Sequence, residues 1–381
     1  MPDRWRLFSL GELCERVRTK NDSGVNIVLS VVAGVGLVEQ EKYFNKRVAA
    51  KNLSGYTLIE TGTFVYNKSY STGAPQGVIT VNRERASGVV SPLYIAFRPN
   101  NPNIDSLFLE LAVLSAQTTK SLSSLVKEGG RAHGAINISI GDFFSVLVPL
   151  PPLAEQRRIV DLVGAIDACI DALETQIEAT RTARAGVLAE LLSTPGDDWQ
   201  TTTLGEVAEI NPESVKGRDP TDVIQYVDIG SVSAELGIDL ESVESFNMGD
   251  APSRAKRGIR TSDVLVSTVR PNLRAFSVVP NDLDGEVAST GFAVLRAGEQ
   301  ILPDFIWSVV SSKCFVDYLM TRVTGSNYPA VKASDIAGHV ISLPSLSEQR
   351  RIVDLVGAID TCIDALEVQV EADRIARAGV L

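Results

Sequence analysis

The sequence predicts a mixed α/β (α+β) protein: two similar domains in a pseudo-two-fold arrangement, linked by two long helices that form an antiparallel coiled coil. Three observations predict it. A 39-residue segment is written twice, a helical apolar period runs along both copies, and strand-like apolar runs fill the stretch before each copy. The 381 residues allow two or three domains at roughly 100–200 residues each. The repeat divides them into residues 1–150, 151–195, 196–343 and 344–381. With 44% hydrophobic and 22% charged residues, wholesale disorder is excluded.

Leu150-Pro151-Pro152-Leu153-Ala154-Glu155-Gln156 recurs as Leu343-Pro344-Ser345-Leu346-Ser347-Glu348-Gln349, and the match runs on to Leu188 and Leu381 at an offset of 193. Over these 39 positions 32 are identical. The flanking stretches match only faintly: Trp5 with Ser9–Glu12 answers Trp199 with Thr203–Glu206, Thr63–Tyr66 answers Asp263–Val266, and Ser91–Arg98 answers Ser289–Arg296.

The repeated segment reads as a long helix. Ile159, Val163, Ile166, Ile170, Leu173 and Ile177 are spaced 4-3-4-3-4, and Ile352, Val356, Ile359, Ile363, Leu366 and Val370 repeat the seam. Pro151-Pro152 precede the first helix, Pro195-Gly196 stop it near Ser193, and Ser345 with Glu348 forms a capping box before the second. About 40 residues make a rod of ~60 Å. Two apolar positions per heptad call for one partner helix, and the other copy is the natural one. The alternative is that these are core helices of two tandem domains.

Within each variable domain, Ser9–Glu12 and Thr203–Glu206 look like capping boxes opening short helices. Residues 25–38, 57–66 and 89–97 read as strands, as do 223–229, 263–269 and 287–295. Asp105–Leu125 and Pro303–Thr321 read as helices, Pro303 in a first turn, each leading into a polar loop at Lys127–Asn137 or Thr324–Lys332.

Catalytic chemistry finds no support. Gly34-Val35-Gly36 lacks the third glycine of a nucleotide fingerprint and reads as a strand-to-loop feature, and no phosphate-binding Gly-x-x-x-x-Gly-Lys-Ser/Thr loop is present. His133 and His339 sit at unmatched places, with His133 at best a polar contact. Cys14, Cys169, Cys314 and Cys362 show no CxxC spacing, which argues against a zinc site and a disulfide framework. Cys169 and Cys362, beside the seam at equivalent positions, read as small buried residues. Asp161, Asp167, Asp171, Glu174 and Glu178 read as a solvated or partner-facing helix face. Val25–Val38 is too short and interrupted for a membrane helix, and the first six residues hold no signal-peptide core, so a cytoplasmic protein is expected.

Net charge is −11, yet it is uneven: residues 1–150 carry +4, whereas 151–198, 199–343 and 344–381 carry −5, −7 and −3. Local basic clusters therefore decide. Lys42, Lys46, Arg47, Lys51 and Asn52 cluster in the first domain, and Asn67, Lys68, Ser69 and Tyr70 follow a strand. Arg254, Lys256, Arg257 and Arg260 cluster in the second, with Arg270, Asn272 and Arg274 after them. Lys127, Arg131 and Asn137, and Ser326, Asn327, Tyr328 and Lys332, add polar loop residues; Tyr328 before Pro329 reads equally as a core tyrosine. Cationic groups neutralise phosphates, and Arg, Asn and Gln match guanine and adenine edges. Solvated surface charge is the alternative.

This layout resembles the specificity subunit of type I restriction–modification systems. The carriers are the two helix starts Pro149-Leu150-Pro151-Pro152-Leu153-Ala154-Glu155-Gln156 and Leu343-Pro344-Ser345-Leu346-Ser347-Glu348-Gln349, with Ser91-Pro92-Leu93-Tyr94 and Ser289–Arg296. The resemblance covers essentially the whole chain. It implies two target recognition domains, each reading half of an asymmetric, bipartite site on double-stranded DNA. Conserved helices would dock two adenine-N6 methyltransferase subunits, joined by restriction subunits. S-adenosylmethionine, ATP and Mg would bind those partners, with no cofactor, metal or membrane for this chain. Members usually carry more helix than the second copy shows before Leu381. A scaffold that assembles two enzymes without reading DNA is the runner-up, and a self-contained methylating enzyme is disfavoured because no Asn-Pro-Pro-Phe/Tyr motif occurs.

Overall fold

The computed structural model describes residues 5–46, 48–69, 76–83, 85–126, 138–234, 237–325 and 329–380. They form two compact units: Met1–Ala172 with Val370–Leu381, and Leu173–Gln369.

In the first unit, strands Cys14–Arg16, Ile95–Pro99, Phe64–Asn67 and Val78–Val81 lie side by side in that order in one sheet. A second sheet runs Gly36–Glu39, Val28–Val32, Ser87–Val90, Thr57–Glu60, with the Val28–Val32/Ser87–Val90 pair parallel. Phe64, Tyr66 and Phe97 face helices Ser106–Leu114 and Ile140–Phe144, where Tyr66 stacks on Phe143 at 4.6 Å. Val65 and Ala96, one residue out of phase, pack with Leu29, Val31, Ile59 and Val90 of the other sheet. A sheet covered on both faces needs apolar residues at every position, which is why these strands read as continuous runs.

Four of the expected single strands are in fact pairs, and the 287–295 run of the second unit divides at Thr290-Gly291 into Val287–Ser289 and Phe292–Ala297. The chain turns at residues 33–35, at Thr61-Gly62 and at residues 91–94, so that 57–60 belongs to one sheet and 64–67 to the other. Gly34 (φ +74°) and Gly36 (φ +97°) supply the first turn, which is the role of the Gly34-Val35-Gly36 pattern. The expected long helices also break in two, Ser106–Leu114/Ala116–Leu125 and Pro303–Ser311/Lys313–Met320. Ser115 and Ser312 adopt extended backbone and cap the following helix with their hydroxyls, a local hydrogen bond that competes with helix continuation.

The second unit repeats this plan. One sheet runs Ala208–Ile210, Phe292–Ala297, Val264–Ser267, Phe276–Val278; the other runs Glu213–Ser214, Ala255–Gly258, Val287–Ser289, Val223–Val227, Glu244–Asn247. Both expected capping boxes, Ser9/Glu12 and Thr203/Glu206, form and open short helices, and Pro303 stands in a first helical turn.

The long helices span Leu153–Ser193 and Leu346–Gly379. Ser345 Oγ accepts the Glu348 N–H, while the Glu348 carboxylate turns to Arg351 instead of closing the reciprocal half of the box. In the second unit Arg184 makes a two-pronged pair with Asp360, and Arg181 reaches Glu367. In the first, Arg377 pairs with Asp167 and Cys169 bonds Asp373. Numbers rise on one helix as they fall on the other, so the pairing is antiparallel in each unit. Asp167 and Arg184 become Asp360 and Arg377 at the 193 offset, so both units use the same pair. On the seam, Val163, Ile170, Ile177, Ile352, Val356, Ile363 and Val370 are buried, and Ile159, Ile166, Leu173, Ile359 and Leu366 are half-buried. Cys169 and Cys362 are exposed rather than buried. A single partner helix covers the seam and leaves its flanks in water.

Each helix start is bolted down by a glutamine with no exposed surface. Gln156 accepts the Asp105 N–H and donates to Asn103 O and Pro151 O, all at 2.8 Å. Gln349 accepts the Leu302 N–H (2.8 Å) and donates to Gln300 O (2.9 Å) and Pro344 O (3.0 Å).

One core position breaks the symmetry. Val146 and His339 are equivalent, and their carbonyls accept the Leu10 and Leu204 N–H groups. His339 lies against Phe315 and Tyr318, and burial pushes its pKa down to about 4. A depressed histidine gives stability that is complete above its unfolded value near 6.5 and is lost as pH falls toward 4. The second unit should therefore lose up to about 3 kcal/mol over that window, and His339→Val should flatten the dependence in denaturation curves at pH 7 and pH 4.5. Parallel pH dependence in both proteins would refute this.

Candidate nucleic-acid interface

In the second unit, backbone hydrogen bonds line up four chain segments. Thr290 N–H donates to Arg254 O (2.8 Å), Thr268 N–H to Gly291 O (2.8 Å), Val331 N–H to Thr268 O (2.8 Å) and Arg270 N–H to Pro329 O (2.7 Å). Adjacent extended segments lie roughly 5 Å apart, so Arg254, Arg270 and the start of the 329–332 segment share one ridge. The sequence-predicted clusters at 254–260, 270–274 and 324–332 are thus joined. Arg254, Lys256, Arg270, Asn272 and Lys332 are exposed; Arg257 is half-buried on strand Ala255–Gly258, its Nε without a hydrogen-bond partner. Ser326, Asn327 and Tyr328 lie outside the described residues; Thr324 and Ala330 exchange backbone hydrogen bonds of 2.9 and 3.0 Å.

Around the far end of strand Ala255–Gly258, acid groups are consumed internally. Arg296 grips Asp263 with two nitrogens (2.8 and 2.7 Å) and reaches Glu213 with a third (2.8 Å). Arg260 also bonds Glu213 (3.2 Å) and approaches Asp284 (3.9 Å), so its guanidinium is already engaged within the unit. Burial pushes the Glu213 carboxyl up, but the hydrogen bonds and charges of Arg296 and Arg260 win and hold it below its ordinary value. Asp263, foremost among the partners of Arg296, correspondingly raises the arginine. Arg274 is half-buried, its Nη1 on Ser311 O at 3.3 Å.

Sequence reasoning missed Lys216 and Arg218. With Lys256 they line a groove of about 480 Å³ beside Pro252 and Met248, and Arg218 donates to Gly285 O at 2.6 Å. Lys216 is far from Lys256 along the chain; only the antiparallel pairing of Glu213–Ser214 with Ala255–Gly258 brings them together, and no linear charge pattern announces it.

The first-unit candidates sit on separate elements. Lys42, on helix Gln40–Phe44, pairs with Glu39 at 2.9 Å, and Lys46 and Lys51 are exposed on the segment after it. Asn67 ends strand Phe64–Asn67, its buried Oδ1 without a partner, followed by half-buried Lys68 and exposed Ser69. Arg47, Tyr70, Lys127, Arg131, His133 and Asn137 lie outside the described residues. Among the described residues, no group of His, Cys, Asp and Glu is placed to hold a metal, and no helix is long and apolar enough to cross a membrane. Burial lifts the Cys14 thiol to about 12, far from a reactive thiolate.

Residues 2–180 match the family model of the type I restriction modification DNA specificity domain. The chain is 19% identical over 393 aligned positions to the type I restriction enzyme MjaVIII specificity subunit of Methanocaldococcus jannaschii, covering 96% of this chain and 88% of that one. It is 25% identical over 170 residues to the HindI specificity subunit of Haemophilus influenzae, covering 44% of this chain and 36% of that one. The fold matches a chain from a structure of type I R-M complex assembly and conformational transition (TM-score 0.64, 21% identity, 100% of this chain and 97% of that one). It also matches the HsdS subunit from Thermoanaerobacter tengcongensis (TM-score 0.54, 20% identity, 100% and 96%). The matched region is the first unit with most of its helix, and the second unit repeats its plan of two sheets, with a fifth strand in one of them; residues 2–180 are similar to the DNA specificity domain of type I restriction–modification systems.

Proposed function

We propose that this chain is the non-catalytic DNA-reading subunit of a type I restriction–modification complex. Each unit reads one word of a bipartite, asymmetric site, and the two helix segments hold two adenine-N6 methyltransferase subunits, through which restriction subunits join. S-adenosylmethionine, ATP and Mg bind those partners. The complex acts in the cytoplasm, where its DNA is.

The observation that carries this is the contrast between the two parts of the repeat. Helix segments keep 32 of 39 residues while the units around them share a fold but little sequence. Identical surfaces suit two copies of one partner; divergent surfaces suit two different DNA words. Exposed apolar positions support the docking half: Leu162 (51% exposed) and Leu355 (41%) are equivalent, as are Leu147 and Val340, and all four stand in water.

Inserting one seven-residue seam repeat after Thr175 and another after Val368 lengthens the helix pair by about 10 Å, or about 3 base pairs at 3.4 Å each. Methylation mapping of a host carrying this variant and its methyltransferase should show both words unchanged with a longer gap between them. A changed word would contradict the assignment of reading to the units and spacing to the helices.

A further inference from the structure

We infer that the turn Arg270–Arg274 is the base-reading element of the second unit, with Asn272 matched to an adenine edge and Leu273 to a thymine methyl group. The inference rests on the DNA-reading function proposed above. Pro271–Leu273 form a single 3₁₀ turn, and both flanking residues, Arg270 (φ 49°, ψ 56°) and Arg274 (φ 52°, ψ 39°), are left-handed. Among the described residues, the other non-glycine positions with positive φ are Asn45, Asn211 and Ser262. Short polar side chains accept that conformation more readily than an arginine does. Two strained arginines bracketing one short turn persist only where the surroundings hold them.

The holding contacts are present. Arg270 N–H is fixed on Pro329 O (2.7 Å), Leu273 N–H on Arg270 O (2.9 Å), Arg274 N–H on Pro271 O (3.1 Å) and Phe276 N–H on Arg274 O (2.7 Å). Pro271 is buried, and Arg274 is tied to Ser311 O on a neighbouring helix. What the locked turn leaves in water is Asn272 and Leu273, the latter 58% exposed. A leucine there adds nothing to the core, and it stands on the ridge that carries Arg254, Lys256 and Arg270. A carboxamide is the group with bidentate geometry for adenine N6 and N7, and an apolar side chain is the group that recognises the thymine methyl. Because the turn is ordered before binding, little freedom is lost when it meets a base. Arg274 thereby becomes a positioning residue, not a contact to DNA.

The test compares methylation motifs in a host carrying the methyltransferase with the unaltered chain, Asn272→Ala, Leu273→Ala or Arg274→Gly. Glycine keeps the left-handed backbone and removes the side chain. Asn272→Ala should relax one adenine position of one word, with discrimination there falling about ten-fold or more; Leu273→Ala should relax a neighbouring position. The other word should stay as it was in all three variants, and Arg274→Gly, which loses the tie to Ser311 O but keeps the backbone, should relax the same positions less than either alanine variant does. Unrelaxed words in both alanine variants would overturn the inference while leaving DNA reading intact. No motif with the unaltered chain would overturn the reading itself. If an alanine variant abolishes methylation, the purified complex is titrated with duplexes changed one base at a time. Loss of discrimination at one base step supports the inference, and uniform weakening at every step refutes it.

Discussion

Replacing Gln349 with leucine is expected to destabilise the second unit by about 2–4 kcal/mol, because it strands three buried backbone groups at once. The side chain has no exposed surface, and its amide satisfies the Leu302 N–H and the carbonyls of Gln300 and Pro344. Leucine fills similar volume, so the destabilisation comes from unmet hydrogen bonds and not from a cavity. Gln156→Leu should do the same to the first unit, since it holds Asp105, Asn103 and Pro151 in the same way. Trp5 lies in the first unit, and Trp199 and Trp307 in the second, so denaturation followed by fluorescence, with the other tryptophans replaced by phenylalanine, reports each unit. A shift below ~0.5 kcal/mol, the range of ordinary surface substitutions, would show that the bolts are not needed.

The second large effect is on binding. Arg254→Ala combined with Lys256→Ala should weaken DNA binding by the assembled complex on the order of 10–100-fold. The slope of log affinity against log salt should become shallower by roughly 0.9 for each phosphate that is no longer neutralised. Both side chains are exposed on a ridge whose neighbouring carboxylates Glu213 and Asp263 are already committed to arginines. The double variant Lys313→Ala with Arg322→Ala removes the same charge elsewhere in the unit, where Lys313 pairs with Asp317 and Arg322 covers Tyr318. It should leave binding close to normal, and methyltransferase association should survive in both. Equal weakening by the two pairs would mean that net charge, and not the ridge, governs affinity.

What was legible in the sequence was what repeats. The 193-residue offset, the 4-3-4-3 seam and the two capping boxes each leave a periodic or spaced signature, because helices bury a regular stripe and cap it locally. Three things were not legible. Runs such as 57–66 hide a turn, since the apolar residues of Thr57–Glu60 and Phe64–Asn67 follow each other with only Thr61-Gly62 to mark where one sheet hands over to the next. Ser115 and Ser312 break helices through a hydroxyl bond that composition does not reveal. The joining of Lys216 to Lys256, and of the 270 turn to the 329–331 segment, comes from non-local pairing. Arg260 and Arg274 show the converse: their charge pointed to the interface, while their contacts tie them into the unit.

The most direct measurement is single-molecule mapping of N6-methyladenine in a naive host carrying the partner methyltransferase with and without this chain. A new bipartite motif that appears only with the chain is the predicted result, and it would disclose both words and the gap between them. An assembled complex that leaves no new motif would contradict DNA reading and make the chain a scaffold.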